Sequence, residues 1–175
     1  MSDKKWELSR LSASELGALK RCAGIPFGSD MRAAQAFYRA TEGSRPYQEA
    51  AWYGALCLQC LWKQDEVRTI LPFEEMLRRM YSDPKATDST KKRCTVFLDI
   101  PWSNDGFLLG KLCSLARMMR SKDSSVMPDF SALANDLCSW NSLDKYVQRR
   151  WIKKICTTQT QEEITDNKEE NEDAV

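Results

Sequence analysis

The clearest pattern of hydrophobic and polar positions lies between residues 128 and 155, where two consecutive helices are predicted. Apolar residues in the first recur with the spacing of one helix face, at Phe130, Leu133, Ala134 and Leu137. After a break at Asn141 and Ser142, apolar residues recur at every fourth position, at Leu143, Val147, Trp151 and Ile155. A basic stripe runs beside them, formed by Lys145, Arg149 and Lys153 with Arg150 adjacent. No acidic residue interrupts this stripe, so it needs an explanation other than core packing.

Six further helices are predicted upstream, at about residues 11–22, 30–39, 47–63, 72–81, 91–98 and 104–120. Ser12 and Glu15 have the spacing of a capping box at the start of the first. Met31 and Tyr38 are expected on the inner side of the second helix, and Phe107 on the inner side of the sixth. The third is apolar nearly all round, which indicates a central, buried helix.

No segment alternates with period two for long enough to predict a strand. The chain is therefore predicted to be an all-α protein of about eight helices in two small helical bundles. A polar loop near residues 83–88 suggests the boundary, with an N-terminal bundle over 1–85 and a C-terminal bundle over 86–157. Residues 158–175 are polar and acidic, and we expect this tail to be disordered.

The net charge of +1 hides an uneven distribution of charge. Residues 161–175 contain seven acidic residues and one basic residue, so the remainder has 25 basic and 18 acidic residues, a net charge of +7. A basic body favours a polyanionic partner such as nucleic acid. Moderate positive charge that merely aids solubility is the alternative.

Residue types with catalytic or metal-binding chemistry are few. The chain has no histidine, which excludes His-based acid–base catalysis and most catalytic zinc sites. The seven cysteines follow no secretory signal or membrane-spanning run, and we interpret them as reduced core thiols of a cytoplasmic protein. Cys57 and Cys60 form a CxxC pair, but no second half of a zinc site exists, so a shared helix face is the favoured interpretation. We predict no enzyme activity, no metal site and no cofactor.

Two other residue classes have both a chemical and a structural interpretation. The adjacent carboxylates Glu74 and Glu75 have no partner residues that would suggest metal or acid–base chemistry, and we expect them on a solvated face. Tryptophans could stack on nucleobases, but helical positions favour the core, with Trp102 the exception because it follows Pro101 in a loop.

Short basic clusters are the best candidates for function. They are Lys20-Arg21, Arg78-Arg79, Lys91-Lys92-Arg93, and Arg149-Arg150 with Lys153. A phosphate backbone is bound by cations distributed along a surface, so scattered pairs suit it. Each pair by itself is also compatible with an ordinary solvated face.

The last two helices resemble the C-terminal part of a known family. The matching motifs are Asp129-Phe130, Leu133, Asp136-Leu137 and Trp140, followed by Val147 to Trp151. Earlier segments agree in order, at residues 19–24, 36–39 and 92–98. Together they resemble the CasB family, the small subunit of Cascade, which is the type I-E CRISPR surveillance complex. The resemblance covers roughly residues 10–156.

The resemblance implies a non-enzymatic, all-helical subunit of a complex that acts in antiviral defence. Two copies would pack head to tail, bridge the guide-bearing backbone and the large subunit, and line a path for opened DNA. Contacts to crRNA and to target DNA strands would be cationic and sequence-tolerant, and would stabilise the R-loop. The residues implied as nucleic-acid contacts are Lys20, Arg21, Arg39, Lys92, Arg93, Arg149, Arg150 and Lys153, to which the sixth helix adds Lys111 and Arg117.

A competing interpretation remains open, namely a helical protein–protein interaction adaptor whose basic faces bind acidic partners. A further hypothesis concerns the acidic tail, which by its charge could compete with nucleic acid for the basic body. Both hypotheses can be tested through the binding of single-stranded DNA and its salt dependence.

Overall fold

The computed structural model describes residues 5–157, and the acidic tail predicted at 158–175 lies outside the described residues. Within this range the chain forms eight α-helices, which confirms the predicted all-α fold. They are α1 (Ala13–Arg21), α2 (Met31–Ala40), α3 (Pro46–Gln59), α4 (Phe73–Ser82), α5 (Asp88–Val96), α6 (Phe107–Lys122), α7 (Phe130–Cys138) and α8 (Tyr146–Cys156). Short 3-10 turns at Leu8–Arg10 and Phe97–Asp99 precede α1 and follow α5.

Local side-chain caps set where the helices begin. α1 starts with the predicted capping box. α5 begins three residues earlier than predicted, because the Thr87 hydroxyl accepts the N–H of Thr90. α6 begins three residues later than predicted, because Gly106 adopts a left-handed φ of 75° and the Asp105 carboxylate accepts the N–H of Phe107 at 2.9 Å.

A two-stranded parallel sheet joins two loops and was not predicted from the sequence. Its strands are β1 (Thr69–Leu71) and β2 (Val126–Pro128), with Ile70 opposite Met127. Strands of three residues are too short to show a period of two. The Trp62 indole donates a hydrogen bond to the Val126 carbonyl at 3.0 Å, which holds the sheet against the end of α3.

The core is one connected cluster of buried apolar side chains. α3 lies along α7, and α4 lies along α8, so helices from both predicted bundles contact each other. Trp151 of α8 stacks on Phe73 of α4, with ring centroids 5.5 Å apart, and packs edge-on against Trp140 at 5.4 Å. The division of the chain at residue 85 stays a prediction.

Four apolar residues that the pattern placed on inner faces are exposed instead, so these assignments are wrong. Met31 and Tyr38 lie outside because alanines and Phe37 fill the inner face of α2. Phe107 is 58% exposed, and Leu143 is fully exposed because it lies in the loop before α8 rather than in the helix.

All seven cysteines are free, and most of them lie in the core. Burial raises the pKa of Cys57 and raises that of Cys60 to about 12, so both CxxC thiols are protonated at neutral pH. Cys138 and Cys156 are exposed, so the interpretation as core thiols is wrong for these two. Among the helices in residues 5–157, none has the length and apolar character needed to span a membrane.

Candidate nucleic-acid interface

The ten basic residues predicted to contact nucleic acid are all exposed. They are Lys20, Arg21, Arg39, Lys92, Arg93, Lys111, Arg117, Arg149, Arg150 and Lys153. Within the described part of the chain, only Arg39 and Arg150 of this set form ion pairs. The other eight therefore present their charge to solvent.

The basic stripe of α8 faces outward because the opposite side of the helix is buried around Trp151. Arg149 and Lys153 stand one helical turn apart on the exposed face. Neither has an ion pair with another residue between 5 and 157. Lys145 does not belong to the helical stripe, since it precedes the first turn with a left-handed φ of 49°.

Arg150 connects three helices. Its guanidinium lies 2.5 Å from the Asp136 carboxylate of α7 and 3.7 Å from that of Glu74 on α4. Asp136 is buried and also accepts the Trp151 indole N–H at 2.9 Å. The charge of Arg150 is thus largely neutralised by carboxylates from other helices, although its side chain remains half exposed.

The adjacent carboxylates of α4 take part in the same contact between helices. Glu75 forms ion pairs with Arg78 at 2.7 Å, Arg79 at 3.4 Å and Lys154 at 3.3 Å. The side chains of Glu74 and Glu75 are mostly buried, so the prediction of a solvated face is wrong. Arg150 and Lys154 belong to α8, so their ion pairs with these carboxylates link α8 to α4, whereas Arg78 and Arg79 lie on α4 itself.

The N-terminal cations lie on α1 and α2. Lys20 and Arg21 occupy the last turn of α1, where positive charge is favoured by the helix dipole. Arg39 of α2 pairs with Glu15 in the first turn of α1 at 2.6 Å. Arg39 therefore links the two helices, whereas Lys20 and Arg21 are exposed and form no ion pair with another residue between 5 and 157.

The structure brings Arg93 of α5 and Lys111 of α6 to the rim of one cavity. This cavity has a volume of about 310 Å³ and is also lined by Val96, Ser114 and Met118. The Arg93 guanidinium makes a weak contact with the Met118 sulfur at 3.9 Å. Two predicted cations that are distant in sequence thus face the same concave surface.

The tryptophans divide as expected from their positions. Trp52, Trp62, Trp140 and Trp151 are buried, whereas Trp102 is half-buried in its loop. Asn141 bonds to both the N–H and the C=O of Trp102, which fixes that loop against the end of α7. Phe107 is an exposed aromatic one helical turn from Lys111, and its exposure was not predicted, although the preceding Asp-Gly pair is a signal of a shifted helix start.

The chain is similar to known proteins in both sequence and structure. A family model described as CRISPR-associated protein Cse2 matches residues 15–154, which is most of the chain. The crystal structure of CasB from M. ruber matches with a TM-score of 0.63 at 19% identity, covering 92% of this chain and 90% of that chain, and shows a common fold. No curated protein matches the sequence.

The family match covers every helix of the described fold from α2 to α7 and most of the two helices at either end. The structural match extends over almost all of both chains, and it supports the same assignment by its fold. The resemblance to the Cascade small-subunit family is thereby confirmed. The chain belongs to the CRISPR-associated Cse2 family, whose members are subunits of the type I-E Cascade complex and partners of its other components.

Proposed function

We propose that this protein is a non-catalytic subunit that binds nucleic-acid backbones in Cascade and stabilises the R-loop during guide-directed DNA recognition. Formation of an R-loop exchanges a DNA duplex for a guide–target duplex of similar stability, so protein contacts to the strands decide whether it persists. Such contacts need cations on a rigid scaffold and no reading of bases, because pairing with the guide has already selected the sequence.

One observation carries the proposal: eight of the ten predicted cations have no ion pair within the described part of the chain. A solvated face that serves only solubility would place acidic residues beside basic ones. Arg149 and Lys153 instead lie one turn apart on one face of α8, and no acidic residue lies between them in the sequence. If two copies of the subunit pack head to tail, their cations lie along one longer surface that can bind crRNA and target DNA strands.

The test is the affinity of the full-length chain for a single-stranded oligonucleotide across a salt series. Arg149→Glu with Lys153→Glu removes two unpaired cations without disturbing the buried carboxylates around Arg150. We expect the affinity to fall more than tenfold, and the slope of log affinity against log salt to become shallower by about 0.7 for each phosphate that the variant no longer neutralises.

A matched control is Arg32→Glu with Lys85→Glu, which makes the same change in net charge at exposed positions outside the predicted set. This control should retain most of the affinity. The proposal fails if the unmodified chain shows no binding at low salt and does not co-purify with a guide-RNA complex. The adaptor alternative would be favoured if the α8 variant retains its affinity for DNA but no longer binds an acidic protein that the unmodified chain binds.

A further inference from the structure

Phe107 presents an aromatic ring to solvent at the start of α6, beside the predicted cations of that helix. The adjacent Leu108 and Leu109 are buried, so the inward positions of this turn are already filled. The Gly106 conformation and the Asp105 hydrogen bond to the Phe107 N–H fix where the helix begins. The exposure of the ring is therefore set by the backbone and is not a consequence of a loose side chain.

Phe107 lines an open groove of about 550 Å³ along α6. Gly110 forms part of its floor, and a Cβ placed on Gly110 would meet no atom within 4 Å, so space remains above the helix backbone. Lys111 and Ser114 line the same groove. A flat group could thus reach the ring along the groove, where the side chain it meets is that of Lys111.

The cavity that carries Arg93 adjoins this groove, because Lys111 and Ser114 line both. From Phe107 to Met118 the groove and the cavity together follow α6 for about 16 Å at the rise of an α-helix. It begins with an aromatic ring and passes two cations from different helices. Asp105, the acidic residue at its start, is engaged by the Ser103 hydroxyl and the Phe107 N–H.

The ammonium of Lys111 lies over the Phe107 ring, 5.3 Å from its centroid. A base that stacks on this face therefore displaces the flexible Lys111 side chain, which can then reach an adjacent phosphate. A cation beside an aromatic ring is the arrangement by which proteins hold single strands, since the ring stacks on a base and the cation neutralises an adjacent phosphate. A duplex exposes its phosphates but keeps its bases stacked, so it would contact the cations and not the aromatic ring.

We propose that Phe107 is a stacking platform for an unpaired base of single-stranded DNA, with Lys111 and Arg93 holding the flanking phosphates. This inference rests on the proposed function and adds to it a residue and a recognition mode. It predicts that the subunit distinguishes an opened strand from a duplex by one aromatic side chain.

The test compares variants of the full-length chain in binding to oligothymidine, oligouridine and a DNA duplex. Phe107→Ala should lower the affinity for oligothymidine roughly tenfold while the salt slope stays unchanged, because every cation that neutralises a phosphate is still present. Lys111→Gln should lower the affinity and also make the slope shallower. Affinity for the duplex should be the same for Phe107→Ala and for the unmodified chain.

Three further variants separate stacking from the simple removal of apolar surface. Phe107→Leu should behave like Phe107→Ala, whereas Phe107→Trp should retain affinity and add tryptophan emission that is quenched by oligothymidine. Ile70→Ala is the matched control, because Ile70 is 56% exposed, against 58% for Phe107, and lies on β1. This control should leave affinity unchanged.

Some results would overturn the inference and leave the proposed function intact. These are unchanged oligothymidine affinity in Phe107→Ala, an effect confined to oligouridine, or unchanged DNA affinity with weaker co-purification of other Cascade subunits. The last result would assign the ring to a protein partner. Absence of DNA binding by the unmodified chain would overturn both proposals.

Discussion

Replacing Glu75 with glutamine tests whether the ion pairs of this carboxylate, two within α4 and one to α8, stabilise the fold. The carboxylate contacts Arg78, Arg79 and Lys154, and its side chain is mostly buried. The hydrogen bond from Arg78 is the main reason that the pKa of Glu75 falls from its ordinary value of 4.5 to about 2, and Lys154 adds to the effect. The ionised form is thus favoured by the folded state.

The sign of the effect follows from the direction of this pKa change. A carboxylate whose folded pKa is depressed stabilises the fold at pH values above its unfolded pKa, and this contribution disappears as the pH falls through the folded pKa. The difference between 4.5 and about 2 corresponds to about 3 kcal/mol at pH 7. Because Arg79 and Lys154 are half exposed and glutamine keeps a hydrogen-bond acceptor, we expect Glu75→Gln to cost about 2 kcal/mol.

The neighbouring carboxylate provides the control, because its pKa changes in the opposite direction. Burial raises the pKa of Glu74 above its ordinary value, so the folded state disfavours its ionised form at neutral pH. Glu74→Gln should therefore leave the stability at pH 7 unchanged or slightly higher. Two adjacent residues of the same type are expected to respond differently to the same substitution.

The measurement is urea unfolding followed by tryptophan emission, at pH 7 and at pH 3. With a denaturant slope of about 2 kcal/mol per molar urea, Glu75→Gln should lower the midpoint at pH 7 by about 1 M. At pH 3 the difference from the unmodified chain should shrink to less than half, since the pH has fallen below the unfolded pKa. An unchanged midpoint at pH 7, or an equal decrease at both pH values, would refute the reasoning.

Two other substitutions and one truncation probe separate parts of the molecule. Asp136→Ala should cost about 2 kcal/mol of unfolding free energy, because the buried Trp151 indole is left without its acceptor, and the half-exposed Arg150→Gln should cost less in the same urea assay; equal costs would contradict this account. Gly106→Ala should cost roughly 2 kcal/mol in thermal unfolding, because its φ is left-handed and a Cβ would lie 2.5 Å from a proline ring. Removal of residues 158–175 should raise the affinity for single-stranded DNA several-fold at low salt, since seven acidic residues and one basic residue are removed and the net charge becomes +7. An unchanged affinity would exclude competition by the tail.

The helices could be predicted from sequence because their determinants are local. The capping box of α1 and the apolar stripe of α8 depend on residues within a few positions of one another. The parallel pairing of β1 with β2 could not be predicted, since its partners are far apart in the chain and each strand has three residues. The exposure of Phe107 was also not predicted, because the helical period alone does not show where the first turn begins.

The candidate site shows the same division between local and distant determinants. The sequence by itself determined an all-α fold and a basic body, because composition and helical spacing are properties of the chain. Its resemblance to the Cascade small-subunit family indicated the ten candidate cations. Only the tertiary structure decided which of these cations remain available. Arg149 and Arg150 are adjacent in sequence, yet Arg150 is neutralised by carboxylates of α4 and α7, whereas Arg149 faces solvent on the open side of α8. Such a difference depends on which helices pack together, and electrostatic pairing between distant segments leaves no periodic pattern in the sequence.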